Sequence, residues 1–174
     1  MNSATKLLFF KYAYPCIGTL VKRGGVKQEA ANSIQQALLR GETPKEDERI
    51  FVVAHAMCSL IAKKAGKDID SAAVREYFQE EHDPVIDQRF KEMGDFDPVA
   101  CRVHPGKVLS VSGNMCEVLT PKGKVICKSY GEARQGSWVA IHYDWLIEEI
   151  GELAAKDLWG KKEKYARPFG MFPG

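Results

Sequence analysis

The hydrophobic pattern of this chain changes its period near residue 96, and the change divides the sequence into a helical part and a β part. From Ala4 to about Met93, apolar residues recur every three or four positions, which is the spacing of amphipathic helices. From Phe96 onward they fall in short runs rich in β-branched residues, separated by turns. We therefore predict an α+β chain with a helical domain over residues 1–95 and a second domain over residues 96–174.

Glycine and proline residues divide the first part into four predicted helices. The first covers about Ala4 to Lys22 with a kink at Pro15, and the second covers about Lys27 to Leu39 and ends at Gly41. Apolar residues at helical spacing give both helices a face that can pack in a shared core.

Two further helices complete the predicted bundle. The third is predicted to open with Thr43 as N-cap and Pro44 in the first helical position, and to end at Gly66. Asp70 caps the fourth helix, which Asp83-Pro84 is expected to break or bend.

The second part is predicted to form short antiparallel strands followed by a helix. Turn residues separate the apolar runs at even spacing, and this favours a small barrel or a curled sheet because a short flat sheet would leave its edges unpaired. The segment from Glu152 to Tyr165 returns to helical spacing, and a loose tail from Arg167 to Gly174 follows.

The charge balance does not indicate a particular partner. The chain has 25 lysine and arginine residues against 23 acidic residues, which argues against nucleic acid or a membrane surface as the main partner. No apolar run approaches the roughly 18 residues of a membrane-spanning helix, and the start lacks a clear secretory pattern. A cytoplasmic location is therefore expected.

Five cysteines without a C-x-x-C pair argue against both a disulfide framework and a closed structural zinc site. An odd number of free thiols fits a reducing compartment. For most of them burial as a small apolar residue is a sufficient explanation. Packing is also the expected role of Cys16, beside Tyr12 and Tyr14, and of His55 and Cys58, which lie three positions apart on one helix.

Two motifs follow one another in the β part. The first is Cys101, three residues, and then Pro105-Gly106-Lys107 before an apolar strand. The second consists of these residues, in order: Gly136, Trp138, Val139, His142, Trp145, Ile147, Glu148 and Ile150. Together they resemble the two signatures of the HypC/HupF family, the assembly chaperones of nickel-iron hydrogenases, and the resemblance covers residues 101–150.

The resemblance implies a non-enzymatic assembly chaperone with an OB-like barrel that docks partner proteins. It implies that a thiolate at Cys101 helps to hold an iron centre carrying cyanide and carbonyl ligands. The implied partners are a HypD-like scaffold protein and a hydrogenase large-subunit precursor. The residues expected to contact them are Pro105, Gly106, Lys107, His142 and Trp145.

The residues around Cys101 independently favour a metal-binding role. Soft thiolates suit low-spin iron, and positive charge on Arg102 and His104 would make the thiolate easier to form. The C-x-x-H spacing on a loop would bring sulfur and imidazole together, so we predict Cys101 and His104 as metal ligands. A turn at Pro105-Gly106 is expected to present the thiol at the rim of the barrel.

Two other functions remain open at this point. In a single-stranded nucleic-acid-binding barrel, Lys107, Lys122, Lys124, Lys128 and Arg134 would line a groove while Tyr130, Trp138 or Tyr143 stacked on bases. In a cysteine-dependent enzyme, Cys101 would act with His104 or His142. The excess of basic residues after Val99, 11 against 8 acidic, is small for the first alternative, and no third orienting group supports the second.

Overall fold

The protein consists of two compact units, one formed by residues 1–102 and the other beginning at Val103. The structure is a computed structural model that describes residues 1–166, so the predicted tail from Arg167 onward lies outside the described residues. The predicted α+β class is confirmed, since the first unit is helical and the second is a closed barrel followed by a helix. The change of unit falls seven residues later than the predicted boundary, because residues 96–102 belong to the helical unit.

The helical unit contains six α-helices joined in places by tighter or wider turns, within the described residues. Its elements are α1 (Ser3–Ala13), a 3₁₀ turn (Tyr14–Cys16), α2 (Ile17–Lys22), α3 (Gln28–Leu39), a 3₁₀ turn (Glu48–Ile50), α4 (Val52–Lys64), α5 (Ser71–Glu76), a π-helical turn (Tyr77–Glu81) and α6 (His82–Met93).

Two prolines alter the helical hydrogen-bonding pattern without ending the helical path. Pro15 cannot donate a backbone hydrogen bond, and the chain tightens there into the 3₁₀ turn between α1 and α2. At Pro84 the expected break does not occur, because the wider π-helical turn immediately before α6 accommodates the missing donor. The predicted N-cap at Asp70 is confirmed, since its carboxylate accepts a hydrogen bond from Ala73 N at 2.9 Å.

The predicted start of the third helix at Thr43 is wrong. The hydroxyl of Thr43 is hydrogen-bonded to Ser3, with 3.2 Å between Thr43 Oγ1 and the Ser3 carbonyl oxygen, and it does not cap a helix. The chain instead reaches a 3₁₀ turn at Glu48, which Asp47 caps by accepting from Arg49 N, and α4 begins only at Val52. A tertiary contact has therefore displaced a local capping preference.

Aromatic rings form the centre of the helical unit. Phe9 lies edge-on to Phe10, Phe51 and Phe78, at ring-centroid distances of 6.0, 6.2 and 6.1 Å. Tyr12 stacks on Phe78 at 5.1 Å, and its hydroxyl oxygen accepts a hydrogen bond from Gln79. Edge-to-face and offset contacts of this kind add to the stabilisation that burial alone provides. The core therefore ties α1 to α4 and to the helical segment that follows α5.

The second unit is a five-stranded barrel with the strand order β1-β2-β3-β5-β4, closed by pairing of β4 with β1. Its strands are β1 (Val103–Ser112), β2 (Met115–Thr120), β3 (Gly123–Ser129), β4 (Trp138–His142) and β5 (Trp145–Glu149). All neighbours are antiparallel except β3 and β5, which are parallel. Full closure removes the exposed strand edges that a short open sheet would have, and the order is that of an OB-like barrel.

The barrel interior is filled by small and β-branched side chains from alternate positions of the strands. Its buried residues are Val108, Cys116, Val118, Cys127, Val139, Ile141 and Leu146. Helix α7 (Glu152–Ala166) packs on β1 and β4, where Trp159 lies edge-on to Trp138 at 6.1 Å. No helix among residues 1–166 combines the length and the apolar character required to span a bilayer.

Candidate functional site

The first component of the site is Cys16, the last residue of the 3₁₀ turn between α1 and α2. Pro15 breaks the regular α-helical pattern at this point, and the tighter turn fixes the position of the residue after it. Cys16 is partly buried. The sequence pattern assigned it to packing within an aromatic cluster, so its role at this site was missed.

The second component is Cys101, which follows a short turn organised by Asp97. The Asp97 carboxylate accepts hydrogen bonds from the backbone of Val99 at 2.8 Å and of Ala100 at 3.1 Å. The backbone N–H of Cys101 donates to the Asp97 carbonyl oxygen at 3.0 Å. This turn places Cys101 in the helical unit, two residues before β1 begins.

Arg102 holds this segment in place. Its guanidinium donates to the carbonyl oxygen of Pro98 at 2.7 Å and forms an ion pair with Asp87. A second carboxylate, that of Asp83, lies 3.8 Å from Arg102 Nε. Arg102 is only 1% exposed and Asp83 is also buried, whereas Asp87 is half exposed, so the guanidinium is held from the buried side and from the surface and fixes the chain next to Cys101.

The sulfurs of Cys16 and Cys101 are in direct contact. They lie 3.6 Å apart although the residues are 85 positions apart in the chain. Cys101 is 8% exposed and Cys16 is partly buried, so Cys16 is the more exposed residue of the pair. The expected presentation of Cys101 at the rim of the barrel is wrong, because the thiol is buried in the helical unit and Pro105-Gly106 lies inside strand β1.

The contact changes the acidity of the pair. The pKa of Cys16 is raised well above its ordinary value, first by its hydrogen bond with Cys101, then by burial and by repulsion from a Cys101 thiolate. The sequence predicted that Arg102 would favour a thiolate at this site, but the structure pairs Arg102 with two carboxylates that offset its charge. Cys16 therefore keeps its proton at neutral pH and has to lose it before its sulfur can bind a metal ion or attack a disulfide.

Tyr77 lies near the thiol pair and near a third thiol, Cys58. Burial raises the pKa of Tyr77 first of all, and thiolates at Cys58, Cys16 and Cys101 would raise it further by repulsion. Burial also raises the pKa of Cys58 to about 12. Cys58 is fully buried in α4, in agreement with its predicted packing role, while His55 lies edge-on to Phe9 at 6.4 Å.

Two thiolates at this separation form a suitable pair of ligands for a tetrahedral metal ion. With metal–sulfur bonds of about 2.3 Å, the sulfurs of a tetrahedral centre lie about 3.8 Å apart. The observed distance between the two Sγ atoms is 3.6 Å, and a small rotation of either side chain would bring it to the tetrahedral value. Sulfur donors favour soft ions and iron over calcium or magnesium. The pair supplies two sulfur ligands, which is half of a tetrahedral set.

The other predicted metal ligand and the first partner residues lie in β1. His104 is 1% exposed, and Pro105 and Gly106 are also buried. Lys107 is the exposed member of this group, with its Nζ atom 5.4 Å from the ring centre of Trp138. The assignment of His104 as a ligand stays a prediction.

The remaining predicted partner residues lie at the adjoining ends of β4 and β5. His142 is completely buried, and Trp145 stacks on Tyr130 at 4.4 Å with an interplanar angle of 11°. Both rings are buried, so Lys107 is the exposed side chain among the predicted partner residues, and the docking role of the group stays a prediction.

The nucleic-acid alternative has less support than its charged residues indicated. Lys124 pairs with Glu117 at 3.4 Å, and Arg134 pairs with Glu149 at 2.5 Å. Lys128 lies 3.1 Å from Asp144. Because acidic side chains offset these cations and Tyr130 is buried against Trp145, the barrel surface offers less attraction to phosphates than the sequence count implies.

The enzyme alternative needs a readily formed thiolate next to a base. Within the helical unit the thiol of Cys101 contacts that of Cys16, whose pKa is raised. The enzyme alternative, in which Cys101 would act with His104 or His142, stays a prediction.

Comparison of the chain with protein-family models, with curated proteins and with solved structures finds no match. The resemblance to the HypC/HupF family therefore rests on the residues of its two motifs and stays a prediction.

Proposed function

We propose that this chain is an accessory protein of metal-centre assembly that holds a soft metal ion, iron in the first instance, through the thiolates of Cys16 and Cys101. The observation that carries the proposal is the 3.6 Å separation of the two sulfurs. The metal is cargo, because two protein ligands leave positions through which another protein can take it.

The anchoring of Arg102 supports the proposal. A ligand pair retains its geometry when the backbone beside it is fixed by contacts that do not themselves bind the metal. Arg102, Asp83 and Asp87 provide such contacts next to Cys101. The Asp97 turn fixes the same segment from its other side.

The partners we propose are those of the HypC/HupF family. A barrel joined to a metal-holding thiol is the arrangement expected of an assembly chaperone that docks a HypD-like scaffold and a hydrogenase large-subunit precursor. The exposed Lys107, in the motif that carries the resemblance, is the side chain best placed to contact such a partner.

The experiment is a titration of the full chain, reduced and kept without oxygen, with Fe²⁺ and with Co²⁺ as a spectroscopic probe. We expect a thiolate-to-metal charge-transfer absorption that saturates at one ion per chain. Cys16→Ala and Cys101→Ala should each remove most of it, whereas Cys58→Ala, which deletes another buried thiol of the helical unit, should retain it. Equal binding by all four proteins would rule out the pair as the metal site.

The partner is tested separately by co-purification from cells that contain a scaffold and a hydrogenase precursor. Cys101→Ala should reduce both the co-purified iron and the scaffold, and Lys107→Glu should reduce the scaffold while Co²⁺ binding by the isolated chain stays unchanged. If both variants retain the scaffold and its iron, the assembly role is wrong. Circular dichroism of each variant establishes that the fold is intact.

A further inference from the structure

We propose that Cys16 and Cys101 form a reversible redox site, at which a small-molecule disulfide such as oxidised glutathione converts the dithiol to an intramolecular disulfide that no longer holds metal. The release of metal rests on the proposed function. The formation of the disulfide rests on the geometry of the two cysteines alone.

The two sulfurs are already in contact. A disulfide bond is about 2.05 Å long, so closure from the observed 3.6 Å separation requires an approach of about 1.5 Å. The two residues belong to separate segments, the 3₁₀ turn after α1 and the Asp97 turn, and each side chain can rotate at its own Cα–Cβ bond. The fixed backbone keeps the two thiols opposite one another in the reduced protein.

Access determines the order of the steps. Cys16 is partly buried, whereas Cys101 is 8% exposed, so a dissolved disulfide reaches Cys16 first. Cys16 loses its proton to solvent and its thiolate attacks one sulfur of oxidised glutathione. A mixed disulfide forms at Cys16, and one glutathione leaves as a thiolate that takes up a proton.

Cys101 completes the reaction from inside the protein. Its thiol loses a proton, and the thiolate attacks the sulfur of Cys16, forming the Cys16–Cys101 bond and releasing the second glutathione. Altogether the two protein thiols lose two hydrogens, while one oxidised glutathione is reduced to two molecules of glutathione. Reduced glutathione in excess drives the same steps in reverse.

The other thiols of the chain are poor competitors. Cys58 is completely buried, and burial raises its pKa to about 12. Cys116 and Cys127 face each other on β2 and β3 inside the barrel, with exposed fractions of 1% and 0%. They provide an internal control, because they are also close in space but are closed to a dissolved oxidant.

A disulfide cannot serve as a thiolate ligand, because the metal-binding form of cysteine is the thiolate. Closing the bond would therefore release a bound ion, and a bound ion would protect both sulfurs from oxidation. The site would hold cargo only under reducing conditions.

The test uses the full chain, reduced and free of metal, incubated with oxidised glutathione and then measured by intact mass spectrometry. We expect a loss of two hydrogens and, after digestion without reductant, one cross-linked peptide that joins Cys16 to Cys101. Cys101→Ser should instead accumulate a glutathione adduct at Cys16, and Cys16→Ser should gain neither product. Cys58→Ala should behave as the parent chain does.

Co²⁺ binding is then measured on the same oxidised sample. We expect the charge-transfer absorption to be lost and to return after treatment with a phosphine reductant. An unchanged mass, or a cross-link between Cys116 and Cys127, overturns the inference, as does a disulfide form that still binds Co²⁺. Reduced protein that fails to bind Co²⁺ overturns the proposed function, whereas reduced protein that binds Co²⁺ but never forms the disulfide overturns only the redox site.

Discussion

Gly106 in β1 faces Val118 in β2 so closely that a Cβ atom built on Gly106 would lie 2.5 Å from Val118 Cγ1. The same atom would lie 3.1 Å from Cδ1 of Ile141 and 3.2 Å from the carbonyl oxygen of Leu119. Because valine is stiff at its first side-chain torsion and the oxygen belongs to the backbone, the neighbours cannot simply move aside. The glycine of the Pro-Gly-Lys motif is thus required by packing inside the barrel.

We therefore expect Gly106→Ala to destabilise the barrel unit by about 1 to 3 kcal/mol, the usual cost of overpacking a well-packed core. Gly160→Ala is the matched control, since Gly160 lies in α7 with no atom within 4 Å of its added Cβ. The free energy of unfolding of that control should rise by up to about 1 kcal/mol, because alanine is a better helix former than glycine.

The two variants and the double variant Gly106→Ala with Val118→Ala are compared by urea unfolding. The double variant should be more stable than the sum of its two single changes predicts, because Val118→Ala removes the atom with which the new Cβ collides. If the losses of stability of the two single variants simply add in the double variant, the close approach of Gly106 to Val118 is not the cause of the destabilisation.

Arg102 provides a second prediction about the segment that carries Cys101. Replacing it with methionine leaves Asp83, which is 5% exposed, without its positive neighbour, and breaking a buried ion pair on one side costs about 3 to 5 kcal/mol. The control is Arg23→Met, which removes an ion pair with Asp95 at 2.5 Å that is largely open to solvent. We expect Arg23→Met to lower the free energy of unfolding by no more than about 1 kcal/mol.

Both variants are measured by chemical denaturation of the full chain. The Arg102→Met variant should also weaken Co²⁺ binding, because the backbone beside Cys101 loses its anchor, whereas Arg23→Met should not. Similar losses of stability in the two variants would contradict the buried character of the Arg102 network.

A third prediction concerns stability at high pH. Burial raises the pKa of Cys58 and of Cys127 to about 12 in each case, against an ordinary value of 9.0. Above about pH 9 the unfolded chain releases these protons while the folded chain retains them, so the free energy of unfolding falls as the pH rises. The contribution is complete below pH 9 and is lost as the pH approaches 12.

The measurement is urea unfolding from pH 7 to pH 10.5 with reductant present. Cys127→Ala should be less stable at neutral pH but should lose less stability than the parent chain between pH 9 and pH 10.5. If the free energy of unfolding falls with pH equally in the two proteins, the Cys127 thiol ionises alike in the folded and unfolded states.

A fourth prediction follows from the raised pKa of Cys16. Only the thiolate attacks a disulfide, so glutathione-driven oxidation should be slow at neutral pH and should accelerate by nearly tenfold per pH unit while the thiol remains mostly protonated. Quenched time courses followed by intact mass between pH 7 and pH 9 give the rate. A rate that does not change with pH would mean that a thiolate is already present at pH 7.

Much of the helical unit could be predicted because its signals are local. Asp70 caps the helix that starts at Ser71, and the predicted stop at Gly41 follows α3 in a left-handed conformation with φ of 70°. The start at Thr43 was wrong because its hydroxyl bonds to Ser3, 40 residues away, and no local pattern records such a contact.

The candidate site could also be predicted only in part. Cys101 was identified through the motif that follows it, but its partner Cys16 is 85 residues earlier and carries no spacing signal of its own. The pairing depends on how α1 packs against the segments that follow it, so it appears only in three dimensions. The two carboxylates that pair with Arg102 were likewise not predictable from spacing, so the sequence indicated only that Arg102 would make the Cys101 thiolate easier to form.

The parallel pairing of β3 with β5 has a consequence for how the barrel opens. It joins Lys128 to Trp145 and Ser129 to Leu146, and the Lys128 amide donates to the Asp144 carbonyl oxygen at 2.7 Å. Parallel strands cannot be linked by a hairpin, so this seam closes only after β4 and β5 have assembled. Local opening of the barrel would start at this seam, which makes the amide of Lys128 the earliest of β3 to exchange its hydrogen for deuterium, whereas the amide of Ser129 donates to the Asn114 carbonyl oxygen and should exchange later.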